Sequence, residues 1–221
     1  MTNKPQLLAN EYRLRFTKLE NYRNNVWRIL CEKYFSKYIA ADSTVLDLGA
    51  GWGEFINHIP ASKKIAMDLN PDSENHLAQD IEFINQDCTE NWQLHSESVD
   101  VIFTSNFLEH LPDKASVDFT VSEGLRCLKK GGIFMCMGPN IKYVNGAYWD
   151  FWDHLIPITE FSAAELFKIV GFEIDRCIPR FLPYSMSNQR NPPLFMVQLY
   201  LKMPFIWPLF GKQFLIIGRK P

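Results

Sequence analysis

The chain has 221 residues, 47% hydrophobic and 22% charged, a balance that supports one globular core and excludes a disordered chain. Its 23 Lys and Arg stand against 25 Asp and Glu, for a formal net charge of -2, and no basic arm or stripe marks a nucleic-acid surface. The five cysteines, Cys31, Cys88, Cys127, Cys136 and Cys177, are odd in number, far apart and never spaced Cys-x-x-Cys, which reads as buried thiols of a reducing compartment and not as a disulfide or zinc framework.

Met1 to Asn10 is polar and lacks the apolar core of a secretory signal, so a cytoplasmic location is expected. From Pro5 to Ile39, Leu7, Leu8, Leu14, Phe16, Leu19, Tyr22, Val26, Trp27, Ile29, Leu30 and Phe35 recur at helical spacing, predicting one long helix or two short ones. Short apolar runs then alternate with helix-length amphipathic segments, the pattern of βα units around a parallel sheet. Strands are predicted at Thr44–Leu48, Lys64–Met67, Glu82–Ile84, Val99–Thr104, Gly132–Met137, Phe172–Ile178 and Gln213–Gly218.

Helical connectors carry their own punctuation. The first two strands are each followed by a predicted helix, the second opened by Asn70 as N-cap and Pro71 at the first helical position. Asp113 to Lys130 reads as a helix ending in two lysines before Gly131-Gly132. Ser162 with Glu165 forms a capping box, and Gly171 stops that helix. No second domain and no internal repeat is expected. Residues 1–42 form a helical cap, 43–138 the cofactor-binding core, 139–161 an aromatic insertion, and 162–221 the rest of the core with an apolar hairpin or lid.

The sharpest segment is Val45-Leu46-Asp47-Leu48-Gly49-Ala50-Gly51-Trp52-Gly53-Glu54-Phe55, a strand running into a glycine-rich turn and a predicted helix. Glycines let the backbone approach a ligand, and a helix start offers free N–H groups to it. Polar residues also end the following strands: Asp68, Asp87 and Ser105-Asn106. Ligands of open α/β sheets bind at the carboxyl ends of strands, so four strand ends converge on one crevice. A dinucleotide turn wants Gly-x-Gly-x-x-Gly, and the third position here is Glu54, a carboxylate that would repel a pyrophosphate.

With Asp47-Leu48-Gly49-Ala50-Gly51-Trp52-Gly53, Asp68-Leu69-Asn70, Asn85-Gln86-Asp87-Cys88, Phe103 to Leu111 and the Leu125-Lys129-Gly131-Gly132 approach to a strand, the sequence resembles the class I S-adenosylmethionine-dependent methyltransferases. The resemblance implies a Rossmann-like α/β fold, a seven-stranded, mostly parallel sheet with helices on both faces and an antiparallel last strand. It implies S-adenosylmethionine as cofactor, with Gly49 and Gly51 against its methionine part, Ala50 and Gly53 completing the turn, and Asp47 orienting the turn or the amino group. Asp68 would accept from both ribose hydroxyls. Asp87 would bond the adenine amine, Cys88 would offer its backbone N–H, and Leu69 and Phe107 would flank the ring. Thr104 to Phe107, Ser105 and Asn106 included, would line the sulfonium side.

Methyl transfer from a sulfonium is an in-line displacement, and a hydroxyl acceptor also needs a base. His110 and His154 are the candidate bases, because an imidazole titrates near neutrality. The N-terminal helix, with Tyr12, Arg13, Tyr22, Arg23 and Trp27, is a candidate cap over the cofactor. The insertion Pro139 to His154 mixes rings with carboxylates, as a pocket for sugars or polar rings does, and Tyr148, Trp149, Asp150 and Trp152 are its candidate substrate contacts. No metal site is assigned, since Asp150, Asp153 and His154 would share a face only on a helix. Leu194 to Phe210 is nearly free of charge and broken by Pro204 and Pro208, too short to span a bilayer. It reads as a packed lid, a dimer surface, or an apolar face for a membrane or a lipid-linked acceptor.

The insertion and the apolar hairpin resemble bacterial methyltransferases of surface-polysaccharide and glycan synthesis. The expected reaction is methyl transfer to a small molecule or glycan, at oxygen. The alternatives are an inactive cofactor-binding partner or regulator, a nucleic-acid methyltransferase and an NAD-dependent oxidoreductase. Ser105-Asn106-Phe107-Leu108 lacks the Asn/Asp-Pro-Pro-aromatic run of exocyclic-amine methyltransferases, and the net charge of -2 disfavours a nucleic-acid partner.

Overall fold

The seven apolar runs become seven strands: β1 (Thr44–Leu48), β2 (Lys63–Asp68), β3 (Ile81–Asn85), β4 (Val99–Ser105), β5 (Leu128–Pro139), β6 (Glu173–Ile178) and β7 (Gln213–Arg219). The computed structural model describes residues 4–184 and 191–221; of the polar N-terminal stretch, residues 1–3 lie outside it. The strands form one sheet in the order β3-β2-β1-β4-β5-β7-β6. Neighbours from β3 through β5 pair parallel, while β7 runs antiparallel between β5 and β6. This is the Rossmann-like, mostly parallel α/β sheet of the class I methyltransferase fold. Val45, Leu46 and Leu48 of β1 are fully buried, because a central parallel strand is covered on both faces.

Helices complete the two layers: α1 (Lys4–Phe16), α2 (Glu20–Lys33), α3 (Lys114–Cys127), α4 (Ile141–Val144), α5 (Glu160–Val170), α6 (Leu194–Lys202) and α7 (Trp207–Phe210). On one face Val117 and Val121 of α3 and Phe167 of α5 pack with Ile102, Phe134 and Ile216 of the sheet. On the other, Ile29 and Leu30 of α2 and Leu201 of α6 pack with Phe55, Phe103 and Trp207. A Thr17–Leu19 3₁₀ turn divides the N-terminal helical segment in two.

Several local expectations are corrected. The segments after β1 and β2 form only 3₁₀ turns, Ile56–His58 and Pro71–His76. After β1 the glycine turn consumes the chain, and Pro60 disfavours helical Ile59. After β2 the cap is real, with the Asn70 side chain accepting from the Asp72 N–H, but Asp-Ser-Glu-Asn-His has no apolar stripe to bury. α3 stops at Cys127 because Leu128 pairs with Val99 and joins β5. Thr159, not Ser162, caps α5: its hydroxyl accepts from the Ser162 N–H at 3.1 Å while the Ser162 hydroxyl accepts from the Thr159 N–H at 3.0 Å. Gly171 stops the helix as expected, in the left-handed conformation. Cys177 is exposed while the other four thiols are buried, because β6 is an edge strand. The apolar Leu194 to Phe210 segment folds as α6, a 3₁₀ turn and α7. Among the described residues no helix is long and apolar enough to cross a membrane.

Candidate active site

At the end of β1 the chain folds back over β2, and the Met67 carbonyl accepts the N–H groups of Gly49 (2.9 Å) and Ala50 (3.2 Å). Gly49, Gly51 and Gly53 take φ of 68°, 55° and 72°, the left-handed region that side chains disfavour. A Cβ on Gly49 would lie 2.3 Å from the Phe107 ring, and one on Gly51 would lie 2.1 Å from the Tyr12 hydroxyl. The turn therefore needs glycine for its dihedral angles and for the groups lying against it. The sequence predicts a helix opening here, but the turn's N–H groups open none, since only the Ile56–His58 3₁₀ turn follows. Gly51 donates to Asp68 Oδ2 at 2.7 Å, and Gly53 donates to the Ala50 carbonyl at 2.9 Å.

Asp68 ends β2 with both oxygens engaged, the second accepting from the Asn70 N–H at 2.7 Å. Burial pushes its carboxyl up to about 6, against the pull of these backbone donors. Asp47 is buried inside β1; desolvation raises its pKa and Glu54 adds to the rise, while the Ile56 N–H opposes it. Glu54 is neutralised by Arg23, which donates to it at 2.9 and 2.7 Å. Asp87 Oδ1 accepts from the Thr89 N–H (3.0 Å) and hydroxyl (2.8 Å), and the Cys88 carbonyl accepts from the Trp92 indole at 2.9 Å. After β4, Asn106 takes φ 50°, and its buried Oδ1 has no hydrogen-bond partner.

These strand ends open into a cavity of about 700 Å³. Asp47, Gly49, Ala50, Asp68, Leu69, Asp87, Cys88, Ser105, Asn106 and Phe107 line it on the sheet side; Gly51 and Gly53 of the turn do not. Tyr12 closes it from α1, and Trp27, Met196, Tyr200 and Ile206 give the helical side an apolar wall. α1 is strapped across the crevice by two bidentate pairs. Arg13 donates to Asp72 at 2.7 and 2.7 Å, and Arg15 donates to Asp153 at 2.9 and 2.5 Å.

A third wall comes from the 3₁₀ turn Leu108–His110 and the insertion. Glu109, His110, Asp153 and His154 all line the cavity. The His110 Nδ1 faces the Asp153 carbonyl at 3.0 Å and its carboxylate at 3.1 Å, leaving Nε2 for another partner. Burial lowers the His110 pKa, but Asp153 and Glu109 outweigh it and the net shift is upward. Burial would raise Asp153, yet His110 and Arg15 hold it far below the carboxylate range. Burial and the neighbouring His110 push His154 down to about 4, so its ring is neutral. The two imidazole centroids are 4.8 Å apart.

The insertion residues singled out as substrate contacts lie elsewhere. Tyr148 is buried against Val144 and Tyr184, and its hydroxyl donates to the Ile156 carbonyl. Trp149 and Trp152 are 54% and 92% exposed, Asp150 is exposed, and none of the four lines the cavity. Through and just past the Asn145–Asp150 3₁₀ turn, Trp149, Asp150 and Trp152 face solvent and Tyr148 packs inside the insertion, while Phe151, Asp153 and His154 line the cavity. Arg15 carried no interpretable sequence signal, since its partner is 138 positions away, and Glu109 stood out only as the neighbour of His110 in the Phe103 to Leu111 motif.

The donor set fits S-adenosylmethionine. Asp68 offers a carboxylate to paired hydroxyls, the unpartnered Asn106 Oδ1 is an acceptor for an ammonium group, and the glycine turn excludes side chains from the same corner. Residues 46–136 match the family model described as a methyltransferase domain. The fold is similar to that of a SAM-dependent methyltransferase from Archaeoglobus fulgidus, at 20% identity over 93% of this chain and 99% of that chain, TM-score 0.68. A SAM-dependent methyltransferase from Thermotoga maritima is similar at 16% identity, 96% and 99% coverage and TM-score 0.68. No curated protein sequence matches the chain.

Proposed function

We propose that this chain is an S-adenosylmethionine-dependent methyltransferase that methylates a hydroxyl of a small-molecule or glycan acceptor carrying an apolar portion, a reading supported by the methyltransferase-domain match over residues 46–136 and by the class I fold. The carrying observation is that the strand-end carboxylates, a wall of Glu109, His110 and His154, and the apolar faces of α2 and α6 share one cavity. When bound, S-adenosylmethionine supplies an electrophilic methyl on a sulfonium. Asp68 holds the ribose hydroxyls, Asp87 and the Cys88 backbone hold adenine between Leu69 and Phe107, and Asn106 with Asp47 holds the methionine amino group. Tyr12 and Trp27 exclude water from above.

The acceptor hydroxyl lies against the Glu109–His110–His154 wall, where it loses its proton. His110 and His154 are the catalytic residues of this reading, and Asp153 is a positioning residue that fixes the His110 ring. Phe195, Leu199, Phe205, Leu209 and Phe210 are exposed on α6, α7 and the turn between them. They continue the cavity's apolar wall outward, and this supports an acceptor with a lipid or other apolar part. A wall of oriented imidazoles also favours an enzyme over an inactive cofactor-binding partner, which would have no use for it.

The test is calorimetric titration of S-adenosylmethionine and S-adenosylhomocysteine, with NAD as control, followed by turnover with hydroxylated lipids, glycans and apolar alcohols. Binding of both sulfur ligands, with His110→Ala abolishing turnover but not binding, is expected. Preference for NAD, or turnover unchanged in His110→Ala, would overturn the reading.

A further inference from the structure

Three side chains on the acceptor wall are arranged in a way that base catalysis alone does not require. Glu109 is 2% exposed and its Oε1 has no hydrogen-bond partner; His154 is 6% exposed and its Nδ1 has none either. An unpartnered buried polar atom is costly, about 1–3 kcal/mol, and two of them on one wall beside His110 call for a ligand. With one ligand atom from each of Glu109, His110 and His154, the three atoms lie within 4.8 Å of one another.

The His110 tautomer is set from behind. His110 points Nδ1 at the Asp153 carbonyl and carboxylate, so Nε2 is the nitrogen left with a lone pair. The buried Nδ1 of His154 has no hydrogen-bond partner, which leaves it available as a ligand atom. A carboxylate behind a histidine is the outer shell that orients metal-bound imidazoles, and Asp153 is itself fixed by Arg15.

We propose that Glu109 Oε1, His110 Nε2 and His154 Nδ1 form a binding site for a divalent first-row transition metal ion. Two imidazoles and one carboxylate suit zinc-like ions, and three protein ligands leave a fourth position open. Ligand bonds of about 2.0–2.2 Å require each side chain to close inward by less than about 1 Å. The inference deepens and rests on the hydroxyl-methylation reading. The acceptor oxygen takes the open position and gives its proton to water, since a bound cation lowers the pKa of a ligated hydroxyl. That oxygen then forms the new O–C bond as the S–C bond breaks, and the sulfonium leaves as a neutral thioether. The sequence offered a different trio, Asp150, Asp153 and His154; in the structure Asp150 faces solvent and Asp153 supports His110 from behind.

The experiment uses the full chain, stripped with chelator and titrated with Zn²⁺ by calorimetry and with Co²⁺ by absorption spectroscopy, with S-adenosylhomocysteine affinity measured in the same samples. Wild-type protein is expected to take up one Zn²⁺ and to give a tetrahedral Co²⁺ spectrum without a thiolate band. His154→Ala and the isosteric Glu109→Gln each weaken uptake by about tenfold or more, and Asp153→Asn weakens it less. Should His154→Ala fail to fold, Glu109→Gln and the wild-type Co²⁺ spectrum decide. Absence of Zn²⁺ uptake by the wild type, a thiolate-type spectrum, or equal uptake by the folded variants would overturn the site. If S-adenosylhomocysteine still binds and the chelated enzyme still turns over, the metal proposal alone falls and the methyltransferase reading stands. If neither the ion nor the sulfur ligand binds, both fall.

Discussion

Affinity for the cofactor is expected to depend on pH through Asp68. The carboxyl is raised to about 6 by burial, so in the ligand-free protein it is about nine-tenths protonated at pH 5 and about nine-tenths ionised at pH 7. Ribose hydroxyls donate to the ionised form, so binding pulls the pKa back toward its ordinary value near 4. A shift of about two units corresponds to about 2.7 kcal/mol of coupling between proton loss and ligand binding. The sign follows: the ligand prefers the deprotonated carboxyl, and S-adenosylhomocysteine should bind about tenfold more weakly at pH 5 than at pH 7. Asp68→Asn removes the charge and turns an amide toward the Gly51 and Asn70 N–H groups, which now donate to Asp68 at 2.7 Å each. It should weaken binding at pH 7 by about 1.5–3 kcal/mol, the loss for hydrogen bonds to a charged group, and flatten the pH dependence. Calorimetric titrations of both proteins between pH 5 and 7 provide the assay. A wild-type affinity that does not change with pH, or an equal slope in Asp68→Asn, would refute the assignment of this proton.

Gly51→Ala places a Cβ 2.1 Å from the Tyr12 hydroxyl at φ 55°, so left-handed strain of about 1–2 kcal/mol and overpacking of about 1–3 kcal/mol should lower the urea midpoint; a change below about 0.5 kcal/mol would argue against the close approach. Asp153→Asn breaks the pairs to Arg15 and His110 and should reduce stability by about 1.5–3 kcal/mol and kcat more than the affinity for S-adenosylhomocysteine, measured by unfolding and single-turnover assays. Because the Asp153 pKa is depressed, its contribution is present above the unfolded value near 4 and is lost as pH falls further, so the variant should show a shallower acid-unfolding profile. Trp152→Ala, at a side chain 92% exposed, should leave stability within about 0.5 kcal/mol and turnover unchanged; loss of turnover would restore a substrate role to that residue.

The sequence by itself determined the sheet and the strand-end side of the cavity. Strand identity rests on apolar runs, and each strand carries its own polar terminus, so Asp47, Asp68, Asp87 and Ser105-Asn106 could be placed on one crevice without knowing any long-range contact. Gly49 was legible for the same reason, since a turn that needs left-handed backbone announces itself in residue type. The short connectors were misread as helices because a cap such as Asn70 marks where a helix starts but not whether an apolar face exists to sustain it. The third wall of the cavity was decided only by tertiary structure. Composition drew the eye to Trp149 and Trp152, yet both face solvent while Asp153 and His154 line the cavity. Which side of an irregular segment meets the cavity depends on backbone rotation set by packing, here Tyr148 buried against Val144 and Tyr184, and no periodicity encodes it. The Arg15–Asp153 strap and the convergence of Glu109, His110 and His154 join parts of the chain far apart in sequence, and such pairings exist only once the sheet and helices have brought their ends together.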